Sequence, residues 1–181
     1  MDAIRIRPVA AADAAALLRF ELEHRAYFER WVQARAPAFY GADGVAGAIA
    51  AAEAAWAAGQ AYQYLVVEGA RIVGRVNLTN VKRAHFECAE LGYRIGEHDG
   101  GRGIASRAVA LCLEQAFGTH GLQRIEATAR PVNRGSIRVL ERNGFVQFGQ
   151  SRRSVEIGGT WFDRLLFERH RDDHDASGSA S

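Results

Sequence analysis

The chain has 181 residues, which is enough for one domain with a hydrophobic core and short for two. Its 23 basic and 21 acidic residues give a formal net charge of +2, so the sequence lacks the electrostatic footprint of a protein that binds nucleic acid or a membrane surface. Cys88 and Cys112 lie in apolar runs and form no CxxC pair, so we expect neither a disulfide framework nor a metal site.

The sequence favours neither an export signal nor a membrane-spanning segment among these residues. Charged residues interrupt the first positions, where a signal peptide needs an apolar core. The longest stretch of low charge, residues 44–59, consists mainly of alanine and is too short to span a bilayer. We therefore expect a soluble, cytoplasmic protein.

The first third of the chain predicts one strand and two helices. Apolar residues alternate with arginine at residues 4–7, as in a short strand. Helices are predicted over residues 11–25 and 43–58. Five aromatic residues lie between them, at residues 27–40. We interpret these aromatic residues as core, although they would also suit a pocket wall or the interface of a homodimer.

From residue 61 onward, β-rich and helical runs alternate. Three closely spaced β-rich runs predict an antiparallel meander, over residues 61–67, 71–81 and 85–95. A helix, a strand, a second helix and a hairpin follow, over residues 104–117, 122–130, 133–144 and 145–170. The order predicts a single α/β domain over residues 1–170, with a mixed sheet. The polar residues 171–181 are expected to form a disordered tail.

A glycine-rich loop, EHDGGRGIASRA at residues 97–108, joins a predicted strand to a predicted helix. Its backbone N–H groups would converge at the positive end of the helix dipole, which favours an anion such as phosphate or pyrophosphate. Glycine also lets the backbone approach a ligand closely. A plain turn without a ligand is the alternative.

Three other motifs do not fit. A P-loop requires GxxxxGK followed by Ser or Thr, and this loop has no lysine. A dinucleotide fingerprint requires a third glycine where Ser106 stands, and it follows the first strand of a βαβ unit rather than a meander. The sequence also has no GxSxG motif, so it offers no candidate nucleophilic serine for an α/β-hydrolase mechanism.

The loop does resemble the acetyl-CoA loop of the GCN5-related N-acetyltransferase (GNAT) superfamily. That loop has Gln or Arg, two residues, Gly, one residue, and then Gly or Ala. The matching segment here runs from His98 to Gly103, with histidine at the first position. A second segment, Asn133 to Ser136 followed by RVLERNGF, is similar to the superfamily's N-x-x-S motif, with Arg142 in its lysine position.

Within the superfamily, the chain resembles the RimJ/RimL ribosomal-protein-alanine N-acetyltransferases. The segments ELEHRAYFERW, AELGYRI and EIGGTWFDRLLFERH carry this resemblance, which extends from about Ile4 to Arg169. It implies a GNAT-like domain with a mixed, mostly antiparallel sheet, splayed central strands and flanking helices. It also implies acetyl transfer to a primary amine, most simply a protein N-terminal α-amine. The alternatives are a small-molecule amine (an amino acid, polyamine or antibiotic) and a coenzyme-binding module without turnover.

The resemblance places acetyl-CoA between two splayed strands, at residues 87–95 and 124–129. The pantetheine would pair with backbone near Tyr93, and the pyrophosphate would bind the loop. Arg102 would reach a phosphate or remain a solvated loop residue, and Asn133 would contact the cofactor or cap a helix. The expected cofactor contacts are Tyr93, Arg94, Ile95, His98, Gly100, Gly101, Arg102, Gly103, Ile104, Ala105, Ser106, Asn133 and Ser136.

Three residues are candidates for the chemistry. Ser136 matches the family serine near the coenzyme sulfur and would hydrogen-bond the leaving thiolate, unless it is an ordinary helix residue. Glu90 and Glu156 are alternative general bases, with ordered water as a third. The RimL-type glutamate aligns with Val155, so Glu156 would point to the opposite strand face unless a bulge turns it.

Overall fold

A computed structural model of the chain describes residues 3–178. Within this part of the chain, seven strands form one sheet in the order β1-β2-β3-β4-β5-β7-β6. The strands are β1 (Ile4–Pro8), β2 (Tyr62–Glu68), β3 (Arg71–Lys82), β4 (Cys88–Ile95), β5 (Arg124–Ala129), β6 (Val146–Ile157) and β7 (Thr160–His170). The β4–β5 pair is parallel, and the other neighbouring pairs are antiparallel. The predicted mixed, mostly antiparallel sheet is confirmed.

Helices cover both faces of this sheet. They are α1 (Ala14–Glu23), α2 (Arg25–Glu29), α3 (Ala42–Ala57), α4 (Ile104–Glu114), α5 (Arg134–Arg142) and α6 (Arg171–Gly178). The single helix predicted over residues 11–25 is interrupted at His24, which has φ −103° and ψ 8°. His24 is buried, and its Nδ1 accepts a hydrogen bond from the backbone N–H of Glu97 at 3.3 Å. No helix among residues 3–178 is long and apolar enough to cross a membrane.

The alternation of strand residues divides the core into two clusters. Leu65 and Val67 of β2 pack with α1 and α3, whereas Tyr64 and Val66 pack with α4 and α5. We call the two sides of the sheet the α1 face and the α4 face. Of the aromatic residues at 27–40, Phe28 is buried in the α1-face core, and Tyr27 and Phe39 are half-buried and pack against it, so the core interpretation is confirmed for these three.

The two central strands separate part of the way along their length. The ladder between β4 and β5 covers Cys88–Leu91 and Arg124–Ala127. Beyond that point, β4 continues to Ile95 and remains paired with β3. We call Gly92–Ile95 the open segment of β4, because its edge toward β5 lies outside the parallel ladder. The predicted splaying of the central strands is confirmed.

The C-terminal segment differs from its prediction. Where a disordered tail was expected, Arg171–Gly178 form helix α6. The first backbone N–H of α6 donates to the carbonyl oxygen of Gln123 at 3.0 Å. The ring of His174 packs against Phe117 with a centroid distance of 5.2 Å. These tertiary contacts favour order that composition alone does not indicate, and the prediction for residues 179–181 lies outside the described part of the chain.

Candidate active site at the open segment of β4

The glycine loop ends at the N-terminus of α4 without a capping side chain. Gly101 and Gly103 both have φ +76°, a conformation that glycine adopts at little cost. Gly103 is the N-cap, so the first N–H groups of α4 have no side-chain partner there. A Cβ built on either glycine meets no atom within 4 Å. The loop therefore has both the donors and the space for a phosphate or pyrophosphate group.

An arginine–carboxylate network holds the base of this loop. Buried Asp99 accepts two hydrogen bonds from Arg71 at 2.8 Å and one from Arg102 at 2.8 Å. Arg102 also donates to Glu68 at 2.6 Å. The hydrogen bonds from Arg71 are the main reason that the pKa of Asp99 lies below its usual value. Arg102 therefore fixes the loop here, and its contact with a phosphate stays a prediction.

The other predicted loop residues differ in what they can offer a ligand. His98 and Gly100 are exposed, and the ring of His98 lies 5.7 Å from that of His24. Ile104 is buried in the core and Ala105 carries only a methyl group, so their backbone is what a ligand would contact. The hydroxyl of Ser106 accepts a hydrogen bond from Asn143 Nδ2 at 3.2 Å, which ties α4 to the end of α5.

Asn133 caps helix α5. Its Oδ1 accepts a hydrogen bond from the backbone N–H of Ser136 at 3.0 Å. The capping role considered for Asn133 is thus present in the structure. An asparagine amide also has a donor nitrogen, so a contact between Nδ2 and a cofactor is compatible with the cap.

A hydroxyl pair bridges the open segment of β4 and helix α5. Tyr93 Oη and Ser136 Oγ lie 2.8 Å apart, and Tyr93 Oη also donates to the Ser136 carbonyl oxygen at 3.1 Å. Burial raises the pKa of Tyr93 to about 12, so this hydroxyl keeps its proton at neutral pH. The sequence indicated only backbone contacts at Tyr93, because the pairing of the two hydroxyls depends on the tertiary placement of β4 and α5.

Carboxylates line the opposite side of the sheet near the point where the strands separate. Glu90 of β4 lies beside Glu126 of β5, and Glu126 lies beside Glu168 of β7. Glu90 and Glu126 line a cavity of about 190 Å³, with Thr128 and Arg164 among its other walls. Glu90 is exposed and stands on the α1 face, and its role as a general base stays a prediction.

Glu156 lies in the hairpin formed by β6 and β7, on the face opposite the one that lines the cavity. It pairs with Trp161, whereas Val155 pairs with Phe162. Phe162 shares its strand face with Arg164, which lines the cavity. The irregularity between Ser151 and Val155 precedes this pairing and does not turn Glu156 toward the cavity. The structure therefore separates Glu156 from Glu90.

Arg94 and Ile95 complete the predicted set. Ile95 is half-buried and packs against the α4-face core. The Arg94 guanidinium lies on the α1 face, 3.3 Å from the buried carboxylate of Glu21. Among residues 3–178, no group of three or more His, Cys, Asp and Glu side chains is placed to hold a metal ion.

Free backbone donors at a helix N-terminus, a gap between the parallel strands and a half-buried hydroxyl pair beside that gap favour an enzyme that binds an acyl-CoA. The chain belongs to the GNAT acetyltransferase family, because residues 3–146 match its acetyltransferase (GNAT) domain. It is 33% identical over 165 residues to the probable N-acetyltransferase YjcK of Bacillus subtilis, covering 90% of this chain and 91% of the relative.

Solved structures of similar fold agree with this assignment. The ribosomal-protein-S5-alanine acetyltransferase from Vibrio fischeri superposes with a TM-score of 0.91 and 27% identity over 96% of each chain. Mycobacterium smegmatis RimJ, solved in complex with CoA-disulfide, superposes with a TM-score of 0.90 and 27% identity over 98% of this chain and 90% of that one. The protein is an N-acetyltransferase that uses acetyl-CoA, as the sequence motifs indicated.

Proposed function

We propose that the acceptor is the N-terminal α-amine of a protein, most simply a ribosomal protein that begins with alanine. The observation that carries this proposal is the similarity over 96% of both chains to the ribosomal-protein-S5-alanine acetyltransferase of Vibrio fischeri. The exposed cavity beside Glu90 is accessible to a chain end, which supports the same acceptor.

The chemistry of the amine favours a chain end over a lysine side chain. An α-amine has a pKa near 8, so about one tenth of it is neutral at pH 7. A lysine amine has a pKa of about 10.4 and is neutral in less than about one part in a thousand. Only the neutral form attacks a thioester, so an α-amine needs less help from a base such as Glu90.

The proposed mechanism assigns one face of β4 to each substrate. Acetyl-CoA binds with its pyrophosphate on the glycine loop and its thioester along the open segment. The amine approaches from the α1 face and attacks the thioester carbon, and Glu90 accepts the amine proton directly or through water. A backbone N–H of the open segment stabilises the oxyanion. The C–S bond then breaks.

The Ser136–Tyr93 pair serves the leaving group in this mechanism. Ser136 donates a hydrogen bond to the departing thiolate of CoA, and Tyr93 Oη, 2.8 Å from Ser136 Oγ, orients this hydroxyl. The proton lost by the amine thus leaves on the α1 face, and the thiolate is stabilised from the α4 face until it takes a proton from solvent.

A panel of acceptors with radiolabelled acetyl-CoA tests the proposal. We expect turnover of synthetic peptides that begin with alanine, and no turnover of the same peptides blocked at the N-terminus and carrying an internal lysine. Free amino acids, a polyamine and an aminoglycoside complete the panel. Turnover confined to one of these small amines would contradict a protein N-terminus as the acceptor.

A further inference from the structure

A single buried carboxylate on the α1 face is shared by three arginines. The Glu21 carboxylate is 1% exposed and lies 2.7 Å from Arg75, 3.3 Å from Arg94 and 4.0 Å from Arg35. We call these four residues the Glu21 cluster. Three positive charges against one negative charge leave an excess of two positive charges beneath α1.

The cluster is not fully satisfied by protein groups. The Nε atoms of Arg75 and Arg35 are buried, and neither has a hydrogen-bond partner in the described part of the chain. Burial lowers the pKa of Arg94 to about 10 and also lowers that of Arg35, yet a pKa near 10 leaves Arg94 charged at neutral pH. A further anion would therefore stabilise this cluster.

The cluster is reachable from the proposed path of the acceptor. The side chains of Arg94 and Arg35 are 23% and 31% exposed, whereas those of Arg75 and Glu21 are buried. Arg94 belongs to the open segment of β4, directly after Tyr93. Successive strand residues point to opposite faces, so Arg94 lies across the strand from the Ser136–Tyr93 pair.

The position between Glu90 and Arg94 on the same strand face carries no side chain. Gly92 occupies it, and a Cβ built there meets no atom within 4 Å. Its neighbour on β3, Asn77, has a buried Oδ1 without a hydrogen-bond partner in the described part of the chain. Glu90 and Arg94 are about 13 Å apart along the strand, at about 3.3 Å per residue. An amine over Gly92 would thus lie two residues, about 6.6 Å, from the Arg94 backbone.

We propose that the Glu21 cluster is an anion subsite that selects acceptors with a carboxylate close to the reacting amine. The amine lies over Gly92, between the acceptor oxygens of Glu90 and Asn77, and the carboxylate lies against Arg94 and Arg35. This inference rests on the proposed function: for a peptide, the carboxylate is an Asp or Glu side chain at the second or third position. For a free amino acid, it would be the α-carboxylate.

Matched acceptors test the charge preference directly. We would measure kcat/KM for peptides that begin with alanine and differ only in Glu or Gln at the second and third positions. A charge-assisted contact with partly exposed arginines predicts a preference for Glu of about tenfold, which decreases as salt is added. Alanine and alaninamide form a second pair and distinguish the two sources of the carboxylate. Equal rates within both pairs would overturn the proposal.

Variants then assign the preference to the cluster. Arg35→Gln should bring the ratio of kcat/KM between the Glu and Gln peptides close to one. Arg35→Lys should restore part of the preference for the Glu peptide. Arg19→Gln is the matched control, because Arg19 is an exposed arginine of α1 outside the cluster. A purely structural cluster would lose stability in Arg35→Gln without any change in the ratio, and that result would overturn the proposal.

Binding measurements separate this proposal from the proposed function. Calorimetric titration of the same peptides into the enzyme with bound CoA reports the charge preference without turnover. Tighter binding of the Glu peptide but no acetylation of any peptide would support the anion subsite and contradict the peptide acceptor. Equal binding of the Glu and Gln peptides together with equal turnover would overturn the subsite and leave the proposed function intact.

Discussion

The two faces of the open segment of β4 present different kinds of chemical groups. On the α4 face, the groups around the gap are backbone N–H donors, glycines and the neutral hydroxyls of Tyr93 and Ser136. On the α1 face, they are charged side chains, with three arginines on the single carboxylate of Glu21. One face therefore suits a co-substrate of constant structure, and the other can discriminate among acceptors by charge.

The glycine loop provides a second contrast within the same site. There, two arginines face two carboxylates, Glu68 and Asp99, so the charges of these four residues balance. The Glu21 cluster has the same chemistry without the balance. The balanced network positions the loop, whereas the excess of positive charge in the Glu21 cluster is the basis of the proposed anion subsite.

The largest expected effect comes from removing the carboxylate of the unbalanced cluster. Glu21→Gln leaves buried Arg75 and the half-buried Arg94 and Arg35 without their anion, and breaking a buried ion pair such as Glu21–Arg75 costs about 3–5 kcal/mol. The free energy of unfolding in urea measures the loss. Glu23→Gln on the same helix is the control, because Glu23 is 60% exposed and should change stability by less than about 0.5 kcal/mol. Equal losses in the two variants would contradict the special role of Glu21.

The second-largest expected effect is on turnover and tests the neutral hydroxyls on the α4 face. Ser136→Ala removes the hydroxyl proposed to assist the thiolate, so kcat should fall about a hundredfold while the KM for acetyl-CoA changes little. The helix cap survives, because Asn133 accepts its bond from the backbone N–H. Tyr93→Phe should lower kcat less, since Ser136 can still donate. A kcat within twofold of the wild type for Ser136→Ala would exclude this role.

Two substitutions at Asn133 separate structure from binding. Asn133→Ala removes the cap and should cost about 1 kcal/mol of stability. Asn133→Asp keeps a capping oxygen but lacks the Nδ2 donor, so stability should be close to wild type. If the Nδ2 group contacts acetyl-CoA, both variants weaken its binding, which calorimetry measures. Wild-type affinity in Asn133→Asp would limit the residue to capping.

The smallest expected effect is the response of the balanced network to pH. Hydrogen bonds from Arg71 hold the pKa of Asp99 below its unfolded value. The stability contributed by Asp99 is therefore complete above the unfolded pKa near 3.9 and is lost as pH falls through the lower folded pKa. Thermal midpoints of Asp99→Asn and wild type should differ at pH 7 and converge in acid. A constant difference down to the folded pKa would refute this linkage.

Local sequence predicted that the glycine loop leads into helix α4 and that the Asn133–Ser136 segment begins helix α5. The loop from His98 to Gly103 and the Asn133–Ser136 segment are contiguous motifs, so their contacts follow from local chain geometry. The alternation of strand residues also indicated that Val155 and Glu156 face opposite ways, as the structure shows.

The acceptor side could not be predicted in the same way. The Glu21 cluster joins residues from α1, β3, β4 and the segment after α2, and no local pattern relates them. The lateral pairing of Glu90 with Glu126 depends on the register of the parallel strands. Helix α6 was missed because its order comes from contacts with Gln123 and Phe117, while its composition is that of a tail.

The most direct test of the central claim is thermal unfolding of the protein with acetyl-CoA, CoA, NAD or ATP, each in large excess. A ligand at about a hundred times its dissociation constant stabilises the native state by roughly 2.7 kcal/mol, which appears as a clear rise in Tm. We predict that acetyl-CoA and CoA raise Tm and that NAD and ATP do not. A rise with NAD or ATP alone, or no rise with either coenzyme, would contradict the assignment of the glycine loop and the open segment of β4 to acetyl-CoA.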